Sequence, residues 1–532
     1  MKPYAEHLSS THDYGQTIDL TRKPCFRSSA IFAVRHDQDF STRILFMGYW
    51  LLKRNISEVC ILITLRSEKG RILIRKQKII DSPRAFSIEI GQLLYDIEYD
   101  FFAPFIGSIE LEVFSTRDLV FPYPAFVLNY YNDSSVGAVH TAGRVYNDVE
   151  DLTENEEVFV PESGFDISLH ENSQPFFSFV NGLNSYPACH ISCELIGQND
   201  QKLDCILNLG QIEPYQTVFI FLKEHFDLSL LAPSTKATIK IHHNLKGLFP
   251  RFVSGNFDTV NKAVSITHTY YDCSNQTSAS DYWVNTDDRL NDSVILIPLF
   301  IGENIYTQLV FYPILSPTSF DASLDFYTSD GMLVYQIQNW KRYDTRQDGF
   351  FTVDFGDILQ QKRLSLEKIS MISSVNIRLN WSGTDRMPTR LKFGLNVGMR
   401  GKNANLPCNI CFGPDVANPK ILTKPGTFRW LPLLNIGRTV VAIVNGSTLK
   451  QYDRTAELDI QIHHEQDERV LCRKITLPPN GCIIIDIQRD SELQEFLQDE
   501  TGWITIRSNN PFVSSWYFDF TQSGSVAGDH GF

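Results

Sequence analysis

An internal repeat is the feature that most limits what this chain can become. Strand-like runs recur with the same punctuation in four successive stretches of about 120–140 residues each. A unit of about 125 residues can bury an apolar core of its own. The repeat therefore predicts tandem domains rather than thin solenoid turns that depend wholly on their neighbours.

The hairpins define the units most clearly. The first pairs Val59–Ile63 with Arg71–Ile74 around Ser67-Glu68-Lys69-Gly70. The second pairs Cys189–Leu195 with Leu203–Leu207 around Gln198-Asn199-Asp200. The third pairs Ala322–Phe326 with Met332–Ile337 around Ser329-Asp330-Gly331, and the fourth pairs Leu458–Ile462 with Val470–Ile475 around Glu465-Gln466-Asp467. Gly at such turns accepts positive φ, and Asp and Ser bond back to the turn backbone.

A buried strand follows in each unit: Phe86–Ile90, Val218–Phe221, Phe351–Phe355 and Cys482–Ile487. Short helical segments are expected after three of them, over Gly91–Tyr95, Ile358–Leu366 and Ser491–Leu497. Next come alternating strands with one wet face, at Gly107–Val113, Ala237–Ile241, Ser374–Leu379 and Gly502–Ile506. Then Pro124, Pro250, Pro388 and Pro511 precede aromatic strands. Proline cannot donate to a ladder and suits a strand start or a bulge.

The units end alike. Val136 leads to His140, Val264 to His268 and Val526 to His530, each as Val-x-x-x-His. Counting from the alternating strand, at 107→140, 237→268, 374→408 and 502→530, puts Cys408 in the equivalent place of the third unit.

About seven short strands per unit at a turn spacing of about 8–12 residues predict two-layer packing. The expected fold is all-β: four tandem antiparallel β-sandwich repeats, jelly-roll or Ig-like, with short helical turns. The polar stretches Asn147–Glu157, Ser274–Asp292 and Gly413–Gly426 read as partly ordered connectors. They give domains at 1–150, 151–285, 286–412 and 413–532.

Composition narrows the function. Forty-eight basic against 62 acidic residues leave a net charge of −14. That excludes a general nucleic-acid or anionic-membrane binder, which needs a basic surface. Thirty-seven Phe and 21 Tyr exclude disorder. The longest apolar runs, Ile44–Leu52 and Val294–Ile301, fall far short of the ~20 residues of a spanning helix. With no apolar leader after Met1, a cytoplasmic location is expected. Ten cysteines do not make a disulfide scaffold, and Cys189 and Cys193 read as one buried strand face.

His140, His268, Cys408 and His530 are the candidate ligand-binding residues. His and Cys both ligate zinc, so their exchange at one position has chemical sense. The plainer reading is structural, a ring satisfying a carbonyl at a strand end. A joint site would require the domains to close on one another. Cys408-x-x-Cys411 lacks the second pair that a structural zinc needs. His242-His243 and His463-His464 point to opposite strand faces and read as surface imidazoles. Trp283, Trp340 and Trp381 have polar neighbours and could stack on sugar rings or anchor a partner. No P-loop, G-x-G-x-x-G, H-E-x-x-H or G-x-S-x-G stands in a fitting context.

The leading expectation is a non-enzymatic multi-domain binding or scaffolding protein, its partner a protein or a glycan. It has no cofactor, no resident metal, no nucleic-acid partner and no membrane span. Two rivals remain: an enzyme or enzyme accessory with a His/Cys site at a domain junction, and a self-assembling homo-oligomeric subunit.

Overall fold

The computed structural model describes residues 24–100, 103–140, 143–146, 162–198, 201–249, 251–269, 282–283, 285, 287–312, 319–344, 349–381, 387–388, 392–401, 404–413, 415–498 and 500–532. The acidic stretch 147–157, Pro250 and most of 274–292 lie outside them.

The strands fall into four successive sets. The first comprises β1 (Arg27–His36), β2 (Ser41–Met47), β3 (Val59–Ser67), β4 (Ile72–Ile80), β5 (Ala85–Glu89), β6 (Phe105–Phe114), β7 (Val127–Asn132) and β8 (Ser135–His140), with β9 (Arg144–Val145) after it. The second comprises β10 (Glu162–Ser168), β11 (Ser173–Val180), β12 (Tyr186–Gly197), β13 (Lys202–Ile212), β14 (Thr217–Phe221), β15 (Lys236–His243), β16 (Leu248–Phe249), β17 (Val253–Asp258) and β18 (Ala263–His268). The third comprises β19 (Tyr282–Trp283), β20 (Ser293–Pro298), β21 (Ile305–Phe311), β22 (Phe320–Tyr327), β23 (Leu333–Tyr343), β24 (Phe351–Asp354), β25 (Ser374–Trp381), β26 (Met387–Pro388), β27 (Phe393–Met399), β28 (Cys408–Phe412) and β29 (Asp415–Val416). The fourth comprises β30 (Thr427–Leu433), β31 (Arg438–Asn445), β32 (Ala456–His464), β33 (Val470–Leu477), β34 (Cys482–Asp486), β35 (Gly502–Ser508), β36 (Val513–Phe520) and β37 (Val526–His530).

Each set forms two antiparallel sheets in the same order. The outer sheets are β1-β6-β3-β4, β10-β15-β12-β13, β29-β20-β25-β22-β23 and β30-β35-β32-β33. The inner ones are β5-β2-β7-β8, β14-β11-β17-β18, β24-β21-β27-β28 and β34-β31-β36-β37. Each sandwich thus uses eight main strands, one more than the turn spacing predicts. The fold is all-β, as the alternation requires. Ile109, Leu111 and Val113 of β6 are buried, while Glu112 between them is half-buried and pairs with Arg27.

Helix is confined to short turns. Ile90–Tyr95 and Ser491–Leu497 form as expected. The expected helix over Ile358–Leu366 is instead two helices, Phe355–Gln361 and Leu366–Ser370. Arg363 adopts a φ of 58°, which ends the first, and the side chain of Ser365 caps the second. The connector after 413 is more ordered than its composition implies: β29 adds to the third outer sheet, and Pro419–Thr423 forms a 3-10 turn.

The four sandwiches close into a ring through one repeated contact. Each hairpin turn docks where the next sandwich starts the strand equivalent to β5. Glu68 O accepts from Thr217 N at 2.8 Å, and Gln198 Nε2 donates to Thr352 Oγ1 at 3.0 Å. Ser329 O accepts from Cys482 N at 3.0 Å. Gln466 O accepts from Arg84 Nη1 at 3.3 Å, which brings the fourth sandwich back to the first. Glycine is required at two of these turns. A Cβ on Gly70 would stand 2.1 Å from Pro214 O, and one on Gly331 would stand 2.0 Å from Pro479 O. A head-to-tail contact repeated in this way either closes or grows a filament, and here the fourth contact closes it.

Closure buries four sheet edges. β8, β18, β28 and β37 each end an inner sheet, and they pack in the cyclic order β8–β18–β28–β37–β8. Like positions meet like: Ser135 Oγ lies 3.0 Å from Val264 N and 2.8 Å from Ser525 Oγ, while His140 meets His268 and His530. The strands therefore run in the same sense about a common axis. Small residues permit the approach: Gly137 packs on Ile266, and Gly528 on Cys408. An exposed edge invites pairing with other chains, and mutual coverage removes that liability here.

Candidate functional site

The histidines predicted to share a position do share it, and they meet at one end of the central axis. β7 pairs Val127 with His140 and Tyr131 with Val136. The same register pairs Val253 with His268 and Phe257 with Val264, then Trp516 with His530 and Phe520 with Val526. In the third sandwich it pairs Phe393 with Phe412 and Val397 with Cys408. Cys408 therefore takes the place of the valines, and Phe412 takes the histidine position. The assignment of Cys408 from residue counting is corrected by four positions. The longer connection between Met399 and Cys408 makes counting from the alternating strand stop short.

Cys408 is a packing residue. Its thiol is buried, donates to Val397 O at 3.5 Å and is pushed up to about 12 by burial. A thiol held protonated in this way is a poor ligand and a poor nucleophile.

The ring of His140 lies 5.0 Å from that of His268 and 4.7 Å from that of His530, centroid to centroid. Asp529 joins them from β37. Its Oδ2 accepts from His140 Nδ1 at 2.6 Å and from His140 N at 3.2 Å, and its Oδ1 accepts from His530 N at 2.8 Å. Burial alone would raise the Asp529 carboxyl, but His140, its hydrogen bond, His530 and His268 hold it below the usual carboxylate range. Burial lowers His268 well below an ordinary imidazole, and Arg251 adds to this. Burial also lowers His530 to about 4, against the attraction of Asp529. His530 is the member that faces outward, with 36% of its side chain exposed against 5% for His140.

Sequence reasoning missed Asp529, although a signal was present. The aligned residues of the other units are Val139, Thr267 and Cys411. Only the fourth unit places a carboxylate there, and a repeat broken in one unit marks added chemistry.

A second concavity lies between the second and third sandwiches. This small cavity of about 40 Å³ is lined by Asp166, Ser168, Lys236, Asn256, Tyr306 and Asn409, among others. Burial raises the Asp166 carboxyl against the pull of Lys236, and its Oδ1 has no hydrogen-bond partner among the described residues.

Other expectations need correction. His243, His463 and His464 are buried, not surface imidazoles. Strand alternation would expose one member of each pair, but the Phe496 ring covers His464 at 5.7 Å, from the helix Ser491–Leu497. Trp381 is buried against Phe320 and offers no stacking surface, while Trp340 is half-buried beside Phe311. The side chain of Trp283 lies outside the described residues. Cys189 and Cys193 are core residues, as the alternation predicts. No helix among the described residues is long and apolar enough to cross a membrane.

No known protein family and no curated protein matches this chain. Among solved structures it is similar to the BSP domain of a biofilm-associated protein, at 9% identity and a TM-score of 0.15, over 97% of this chain and 98% of that one. It is similar to a calcium-binding mutant of Bacteroides uniformis beta-glucuronidase 2, at 9% identity and a TM-score of 0.12, over 46% of this chain and 26% of that one. A tetra-tandem repeat from the extending region of a large adhesion protein matches at 9% identity and a TM-score of 0.09, over 94% and 98%. TM-scores this low establish no shared fold.

Proposed function

We propose that this chain is a non-enzymatic binding or scaffolding protein whose four repeat domains, near 1–150, 151–285, 286–412 and 413–532, act as one closed platform. One observation supports this most: each sandwich grips the next with the same hairpin, and the fourth grips the first. A ring held by four equivalent contacts presents several surfaces at fixed spacing, so a partner can be engaged at more than one point without new chemistry. The partner is a protein or a glycan. The small cavity between the second and third sandwiches presents a carboxylate, amides and a phenol ring, which can meet one polar group of such a partner. A cytoplasmic setting belongs to the same proposal, and none of the nine cysteines among the described residues is in a disulfide.

The test screens the full chain on glycan arrays and, in parallel, compares its cross-linked partners with those of a Gly331→Val variant, in which the third hairpin contact is disrupted. Saturable glycan binding, or a protein retained by the native chain and lost by the variant, is the expected result. A second reading, an enzyme or enzyme accessory with its site at a domain junction, is favoured by His140 meeting Asp529 across the junction of the first and fourth sandwiches. Turnover abolished by Asp529→Asn, with no saturable ligand in either screen, would replace the first reading with the second.

A further inference from the structure

We infer that the axial cluster His140–Asp529–His530 is a binding site for a divalent first-row metal ion, zinc above the others. The inference goes beyond the binding role and does not depend on it. One ligand atom from each of the three residues lies within 4.8 Å of the other two. Two imidazoles and a carboxylate are a ligand set suited to zinc, and three protein ligands leave a further position for water or a partner's group.

The hydrogen bonds prepare the rings for this role. The Nδ1 of His530 faces Gly531 O at 3.1 Å and its Nε2 lies 3.9 Å from Asp529 Oδ1, while on His140 the ion takes the place of the proton between Nδ1 and Asp529 Oδ2, now 2.6 Å apart. A ring that donates through Nδ1 keeps its lone pair on Nε2. This outer hydrogen bond to a carboxylate or carbonyl is the arrangement that fixes the tautomer of metal-bound histidines. The Asp529 carboxylate has lone pairs to spare for an ion beside its hydrogen bonds.

Charge points the same way. Asp529 is buried, and its ion-pair partners among the described residues are His140 and His530. A buried carboxylate needs compensation, and a divalent ion supplies it. His268 lies outside this set of three, at its periphery. The exposed side of His530 gives the ion its route in.

The test strips the full chain with a chelator and titrates it with zinc alone, read by calorimetry and by elemental analysis after gel filtration. One zinc per chain is expected. His530→Ala, at the half-exposed position, weakens binding by about tenfold or more. His140→Gln does the same if circular dichroism shows it folded; if it does not fold, His530→Ala decides alone. Cobalt provides an independent readout, because its visible absorption reports nitrogen and oxygen coordination and should vanish in His530→Ala. Failure of the native chain to retain stoichiometric zinc would overturn the inference. So would native affinity in folded His530→Ala.

Discussion

At position 529 a carboxylate stands where the other sandwiches carry Val139, Thr267 and Cys411, and it accepts from the His140 ring and from the backbone N–H groups of His140 and His530. Removing one side of a buried hydrogen-bonded pair that includes a carboxylate costs about 3 kcal/mol. Asp529→Ala should lose that much in urea unfolding at neutral pH, and Asp529→Asn clearly less. A loss below about 1 kcal/mol for the alanine variant would mean that the pair adds nothing. Two other buried rings set a pH dependence. Burial lowers His243 to about 3 and His463 to about 4, below the 6.5 of a free imidazole. The unfolded chain then binds more protons between those values, so stability is full above about 6.5 and is lost as the pH falls toward 4. At about 1.4 kcal/mol per pH unit, each ring costs about 2 kcal/mol at pH 5. Urea midpoints at pH 7 and pH 5 should show the fall, and His463→Gln should flatten it; an unchanged slope in that variant would assign the effect elsewhere. The shared histidine position was legible in the sequence because Val-x-x-x-His recurs. The places of Cys408 and Asp529 were not, since a longer connection shifts the first and a single charge carries no period.

At the scale of elements, the hairpins and their alternation were legible because one buried face imposes a period of two. What the hairpins grip was not, because docking rests on backbone carbonyls and turn geometry rather than on an apolar pattern. Gly331 tests this. It has a φ of +80° and no room for a Cβ, whereas Gly210 has a φ of +69° with nothing within 4 Å. Gly210→Val meets only the backbone strain of a left-handed residue, about 1–3 kcal/mol. Gly331→Val meets that strain and also pushes Pro479 away. It should cost about 2 kcal/mol more than Gly210→Val, with hydrogen exchange rising around Ser329 and Cys482 together. Equal losses from the two variants would show that the docking contact adds no stability.

At the scale of the whole molecule, apolar packing runs across the junctions, although the second sandwich keeps a cluster of its own around Phe177 and Ile191. One continuous apolar cluster joins Tyr130 of the first, Phe176 and Phe257 of the second and Trp430 and Trp503 of the fourth, and another joins the third to Trp516 and Phe518. Calorimetry should therefore show fewer melting transitions than there are sandwiches, and Gly137→Leu, which would drive into Ile266, should lower the first and second together. Four separate transitions, only one of them moved by that variant, would refute the coupling. A repeat of sandwiches was legible from the sequence; their closure was not, because nothing in one unit's pattern records which neighbour covers its last strand. Closure also leaves the molecule with a seam. Three junctions are tethered by the polypeptide itself, so a momentary parting there is followed by rapid return. The junction of the fourth sandwich with the first has no such leash. It carries the Tyr49–Trp430 stack at 4.7 Å, the Arg43–Leu434 bond and the His140–Asp529 pair. Among the described residues, the carboxylate that breaks the repeat thus sits at a junction between sandwiches that do not follow one another in the chain, as a bolt on a door without a leash.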